Sequence, residues 1–248
     1  MHITSKKTVL GFTIKADSVE RVLEHIKKYI ASPTEFFHII SLNPENIVLG
    51  YEDEKFREIV LSAQITIPDG IGVVQAARYL GIPVNTRVTG VDLMSRLVEM
   101  ANEYSLPVML IGAQDNLAQK LAKCYSRIYG QIKIVGLEGI KNIDSPTRAE
   151  EERILAIVTD MRPCFIFVAF GSPVQEKWLW DHREAFKGCI CMGVGGGFDL
   201  LFGRLQRAPS WIRSLGFEWF YQVYKFISEF GININNIDRF GKEKIRWS

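Results

Sequence analysis

Asp69 stands where a carboxylate could do acid–base work. It follows Ile65-Thr66-Ile67-Pro68 and precedes Gly70-Ile71-Gly72, so the chain arrives extended and can turn tightly into a helix. A carboxylate there could take the proton of a sugar hydroxyl. The same position suits the N-cap of the following helix, and spacing alone favours the cap. Ser41 and Asn43 could hydrogen-bond a substrate, or could simply end a strand before a helix that starts at Pro44. Gly193-Val194-Gly195-Gly196-Gly197-Phe198-Asp199 reads as a nucleotide loop. Gly195 and Gly196 would let backbone approach a ligand, and Asp199 could accept from ribose hydroxyls or cap the next helix. Arg204, Arg207 and Arg213 follow closely. Their guanidinium groups could neutralise a diphosphate without a metal, or be plain surface charge.

Several familiar chemistries lack their signatures. The glycine run carries Phe198 at its sixth position and lies late in the chain, so it is not a dinucleotide fingerprint. There is no Gly-Lys-Ser/Thr for a phosphate-binding loop, and no Asp-x-Asp for a metal-dependent nucleotide-sugar transferase. Cys189-x-Cys191 sits in an apolar run without a second pair, which predicts buried strand thiols rather than a metal site. Glu52-Asp53-Glu54 reads as a solvated helix face.

These residues need elements to carry them. Short apolar runs predict strands at 8–14, 36–42, 64–67, 107–112, 132–136, 164–170 and 189–194. Helical spacing predicts helices at 18–31, 44–62 (with a break), 71–80, 90–104, 115–129, 148–162, 174–186 and 210–229. In the first of these helices Asp17 and Ser18 can cap, while Val19, Val22, Leu23, Ile26 and Ile30 form one apolar face. Runs such as Cys164-Phe-Ile-Phe-Val-Ala-Phe170 are apolar on both faces, as buried parallel strands are. The alternation predicts a doubly wound, mainly parallel, Rossmann-like α/β sheet. In such sheets ligands bind beyond the carboxyl ends of the strands. Ser41, Asn43, Asp69, Gly171–Gln175 and Gly193–Gly197 all fall at those ends.

The chain has 248 residues and a formal net charge of +2, with 47% apolar and 23% charged residues. That composition is globular and argues against disorder and against a general nucleic-acid binder. The charge is uneven. Residues 1–203 hold 22 Lys/Arg and 24 Asp/Glu, a net −2, whereas residues 204–248 hold 8 and 4, a net +4. Ten of the 28 aromatic residues lie in 211–248. A boundary is therefore expected near Gly203–Ser210, between an α/β catalytic domain (1–203) and a basic, aromatic, helical appendage (204–248). Trp211, Leu215, Trp219, Val223, Phe226 and Phe230 recur every three or four residues, as in core or in a helix lying in a membrane interface. No signal peptide and no run of 18 apolar residues is visible, so the expectation is a cytoplasmic protein with reduced cysteines.

Seven blocks in order resemble the WecG/TagA/CpsF glycosyltransferases, glycosyltransferase family 26. They are Asn43-Pro44-Glu45, Pro68-Asp69-Gly70-Ile71-Gly72-Val73-Val74, Arg87-Val88-Thr89-Gly90-Val91-Asp92-Leu93, Phe170-Gly171-Ser172-Pro173-Val174-Gln175-Glu176-Lys177-Trp178, Gly193–Asp199, Gly203-Arg204-Leu205-Gln206-Arg207-Ala208-Pro209 and Gly216-Phe217-Glu218-Trp219-Phe220-Tyr221. The resemblance implies an inverting, metal-independent hexosyltransferase without a cofactor. Such an enzyme moves N-acetylmannosamine, or its uronic acid, from UDP to a polyprenyl-diphosphate-linked GlcNAc. The products feed teichoic acids, common antigen or exopolysaccharides. It further implies a catalytic base at Asp69, an acceptor-site pair at Ser41 (Thr in the family) and Asn43, and active-site roles for Arg87 and Gln175. The enzyme would work at the inner face of the cell membrane, held there by the appendage, and a homo-oligomer is compatible with this reading. The chain departs from the family at Gln222, where an Arg is usual, so Arg204, Arg207, Arg213 or Lys225 would have to meet the diphosphate. The other readings are a transferase with a different donor or acceptor sugar, a nicotinamide- or nucleotide-dependent enzyme, and a non-catalytic membrane-associated assembly protein.

Overall fold

The computed structural model describes residues 8–84, 87–130 and 132–202. The expected helix at 210–229, the boundary near Gly203–Ser210, the appendage, and Arg204, Arg207, Arg213, Gln222 and Lys225 all lie outside these residues.

Six parallel strands form one sheet in the order β2-β1-β6-β5-β3-β4. They are β1 (Phe37–Leu42), β2 (Ile65–Pro68), β3 (Val108–Gly112), β4 (Ile134–Leu137), β5 (Phe165–Ala169) and β6 (Ile190–Gly193). Helices cover both faces, as the apolar runs require. On one face, Ile39, Ile65, Ile67, Val108, Leu110, Phe165, Phe167, Ile190 and Met192 pack with α1 (Val19–Ile30), α5 (Gly90–Glu103), α6 (Leu117–Ile128) and Phe198 of α9 (Gly197–Leu201). On the other, Ile40 and Leu42 meet α2 (Pro44–Glu52), α3 (Glu54–Ser62) and α4 (Ile71–Tyr79), while Met109, Ile111, Ile166, Val168 and Cys191 meet α7 (Arg148–Met161) and α8 (Val174–Asp181). The expected doubly wound parallel sheet is therefore observed.

The elements differ from expectation in two places, each for a local reason. Residues 8–14 are not a strand. Leu10 and Gly11 take positive φ and fold the segment back, so that Val9 and Phe12 exchange two backbone hydrogen bonds of 2.9 Å. The break expected within 44–62 falls at Asp53, whose extended backbone ends α2 and whose carboxylate accepts from Phe56 N at 2.9 Å to start α3. The helix expected over 174–186 ends at Asp181 and continues as turns to Gly188. Ser18 caps α1 as expected, but Asp17 instead pairs with Arg21 at 3.3 Å. The edge of β2 is covered, because Lys15 N and Ala16 N both donate to Thr66 O.

The connections from β1 (to β2) and from β3 (to β4) leave toward opposite edges, with β6 and β5 between them. Divergence of that kind opens a crevice at the carboxyl ends of the intervening strands.

Candidate active site

Two clusters meet at that carboxyl edge. The first is built on β1 and β2. Leu42 pairs with Pro68, so Asn43 and Asp69 are the next residues on neighbouring strands, and Asp69 N donates to Leu42 O at 2.9 Å. Val88 N donates to Pro68 O at 3.0 Å, which brings the segment before α5 alongside the end of β2. Asp69 Oδ2 then accepts from Gly90 N at 2.9 Å, and Arg87 Nη2 lies 3.5 Å from Oδ1. Asp69 is therefore not the N-cap of α4, the position that spacing favoured. Gly90 shows that it serves a helix after all, but a different one. The cap residue of α4 is Gly70, with no side-chain bond, whereas the carboxylate of Asp69 sits on the first turn of α5 beside that helix's own cap, Thr89. The helix N-terminus and the guanidinium both favour a negative group there. The side chains of Asp69 and Arg87 keep 21% and 25% of their surface exposed, enough for a ligand to reach them.

Gly90 is a close approach. A Cβ there would lie 3.1 Å from Ser41 Oγ, 3.3 Å from Met192 Cε and 3.4 Å from Asp69 Oδ2. Ser41, Asp69, Arg87 and Gly90 thus share one small volume. Asn43 caps α2, accepting from Asn46 N at 2.7 Å, so its structural alternative is realised and its amide N–H₂ remains for other work.

The second cluster lies at the ends of β5 and β6. Gln175 is buried, and its amide is committed at both ends. Oε1 accepts from Gly195 N at 3.1 Å and Nε2 donates to Glu176 Oε1 at 2.8 Å. Gln175 therefore shapes the glycine turn from beneath. The turn is not an open cradle of N–H groups, because Val194 N bonds Val168 O and Gly197 N bonds Val194 O. Gly195 (φ +48°) and Gly196 can offer close backbone approach instead. Asp199 lies inside α9, behind its cap residue Gly196, and does not cap that helix.

One buried side chain joins the clusters. Asn46 donates from Nδ2 to Ser41 O at 2.8 Å, and its Oδ1 accepts from Ser172 Oγ at 2.7 Å. Asn46, Gly90 and Glu176 were not singled out by sequence reasoning. The only available signal was position: three residues after a cap, at the head of a helix, and next to Gln175. Cys189 and Cys191 are buried free thiols as expected; burial pushes Cys189 up to about 11.

Residues 7–227 match the model of the family described as Glycosyl transferase WecG/TagA/CpsF family. Relatives from Staphylococcus aureus strains NCTC 8325 / PS 47 and MRSA252 are each 28% identical over 221 residues, covering 89% of this chain and 85% of the relative. Both are named N-acetylglucosaminyldiphosphoundecaprenol N-acetyl-beta-D-mannosaminyltransferase.

Proposed function

The chain belongs to the WecG/TagA/CpsF glycosyltransferase family, and from that membership and the geometry of the sheet edge we propose that it transfers an N-acetylmannosamine-type sugar from UDP to GlcNAc carried on a polyprenyl diphosphate. The observation that carries the proposal is the setting of Asp69. Its carboxylate is fixed by Gly90 N, lies near Arg87 and shares a partly open volume with Ser41.

The acceptor hydroxyl attacks the donor's anomeric carbon from the face opposite UDP. The new C–O bond forms as the bond to UDP breaks, UDP leaves with the electron pair, and the hydroxyl proton passes to Asp69. Ser41, Asn43 and Arg87 align the acceptor, and alignment can supply up to roughly 7–11 kcal/mol of the barrier reduction. The glycine turn receives the donor's nucleotide, Asp199 meets its ribose, and Arg204 and Arg207 neutralise the leaving diphosphate. The basic, aromatic stretch 204–248 brings this chemistry to the surface of the bilayer that holds the lipid acceptor. Among the described residues no helix is long and apolar enough to cross a membrane.

Incubation of the protein with a GlcNAc-diphosphate-lipid analogue and a panel of UDP-sugars tests the reading. Acceptor-dependent UDP release with UDP-N-acetylmannosamine, giving a product of inverted anomeric configuration, is expected. Release with another donor only would move the protein to a different sugar, and release with none would remove the transferase reading.

A further inference from the structure

We propose that Glu176 is a positioning residue for the donor side of the site: it fixes which way the Gln175 amide points and, through that amide, the Gly195 turn that receives the nucleoside diphosphate. The inference rests on the reading above for the ligand, and on geometry for the relay.

Glu176 is 2% exposed at the start of α8, one residue behind Gln175. Its Oε1 accepts from Gln175 Nε2 at 2.8 Å. Its Oε2 is buried and has no hydrogen-bond partner among the described residues, and no ion pair to Glu176 is formed among them. The Ser172 side chain lies beside the carboxyl. The pair is pressed onto the last residue of β6. A Cβ on Gly193 would fall 2.5 Å from Gln175 Nε2 and 2.7 Å from Glu176 Oε1, so only glycine lets β6 and this amide–carboxyl pair coexist.

The relay follows from the inventory of donors and acceptors. An amide has one accepting end and one donating end. Gly195 N can only donate, so it requires Gln175 Oε1. With Glu176 Oε1 on the other side, the reversed amide would set oxygen against oxygen and N–H₂ against N–H. Gly195 N and Glu176 Oε1 thus select one orientation together, and the Gly195 turn is held by a side chain that carries no charge of its own. Burial raises the Glu176 pKa above the usual carboxylate range, against the opposing pull of the hydrogen bond from Gln175.

The test compares Glu176→Gln with Glu176→Met in the full chain. The readouts are amide hydrogen exchange at Gly195 and UDP affinity by calorimetry, with donor KM and kcat where turnover is seen. Gln keeps an acceptor for Gln175 Nε2, so exchange, UDP affinity and kcat are expected within about 3-fold of wild type. Met removes the acceptor, so Gly195 exchange should accelerate and UDP affinity fall by about 10-fold, the equivalent of one hydrogen bond. Donor KM should rise more than kcat falls. If Glu176→Met does not fold, Glu176→Asp withdraws the same oxygen by one methylene and must show the same two losses. A Met or Asp variant that is less stable yet exchanges and binds UDP like wild type overturns the proposal. So does a Gln variant with 100-fold lower kcat, because the carboxyl would then act on the substrate itself. Failure of the wild-type protein to bind UDP would instead strike the functional reading, while Gly195 exchange would still decide whether the relay exists.

Discussion

Asp69, Gly90 and His38 are each defined by what surrounds them. Asp69 could be located from Pro68-Asp69-Gly70 because a strand end followed by glycine is a local pattern. Its partner could not, because Gly90 is twenty-one residues downstream and reaches it only when α5 docks over β2. Spacing therefore favoured a cap on α4, and the fold replaces it with a carboxylate held at the N-terminus of another helix. Gly90→Ala places a methyl group against Ser41 Oγ and Asp69 Oδ2. We expect kcat to fall by about 10-fold or more, the scale of a small misplacement at a reacting centre. The melting temperature should hold, because alanine suits a helix better than glycine. Steady-state kinetics and calorimetry on the same sample check both.

His38, the second residue of β1, is fully buried beside the Phe36 ring, and neither ring nitrogen has a partner among the described residues. Burial holds its pKa down to about 3, against about 6.5 in the unfolded chain. The folded state thus keeps it neutral. Its contribution to stability is fully present above pH 6.5 and is lost as the pH falls toward 3, at about 1.4 kcal/mol per pH unit. Replacing it with Leu should flatten that part of the stability–pH curve, measured by urea unfolding at a series of pH values.

At the scale of elements, periodicity gave the alternation of strands and helices, because buried parallel strands and amphipathic helices have distinct patterns. It does not reveal which polar residues tie separate elements together. Asp53, at the expected break between α2 and α3, also pairs with Lys177 of α8. Asn46 has a similar reach. Buried in α2, it holds Ser41 O, Asn43 Oδ1 and Ser172 Oγ, and so ties β1 to the loop between β5 and α8. Its backbone N–H would survive mutation to Ala, but both side-chain links would be lost and Ser41 O left unsatisfied. Asn46→Ala should cost about 2–3 kcal/mol in denaturant unfolding. Turnover should fall by more than the loss of folded protein explains, since the two clusters would no longer be held to each other. Gln175 carries the same lesson. Its presence in the site followed from family resemblance, but its burial and its grip on Gly195 depend on the β6 backbone and were not visible in the sequence.

For the whole molecule, the net charge of +2 conceals a body of −2 and a C-terminal stretch of +4. The proposed acceptor is a lipid of the bilayer, and clustered basic residues gain about 1 kcal/mol each near an anionic surface. Replacing Arg204, Arg207 and Arg213 together by Glu should abolish co-sedimentation with anionic vesicles at low salt. Binding of the wild-type protein should weaken as salt is raised. If the triple variant still sediments, the arginines are not the contact. The central claim is that Asp69 is the base of a sugar transfer to a lipid-linked GlcNAc. It is tested most directly by single-turnover UDP release from UDP-N-acetylmannosamine with the GlcNAc-diphosphate-lipid analogue, comparing wild type with Asp69→Asn. The account predicts a rate lower by about 10²–10⁴-fold in the variant, with folding and UDP affinity preserved. A folded Asp69→Asn protein that releases UDP at the wild-type rate would contradict it.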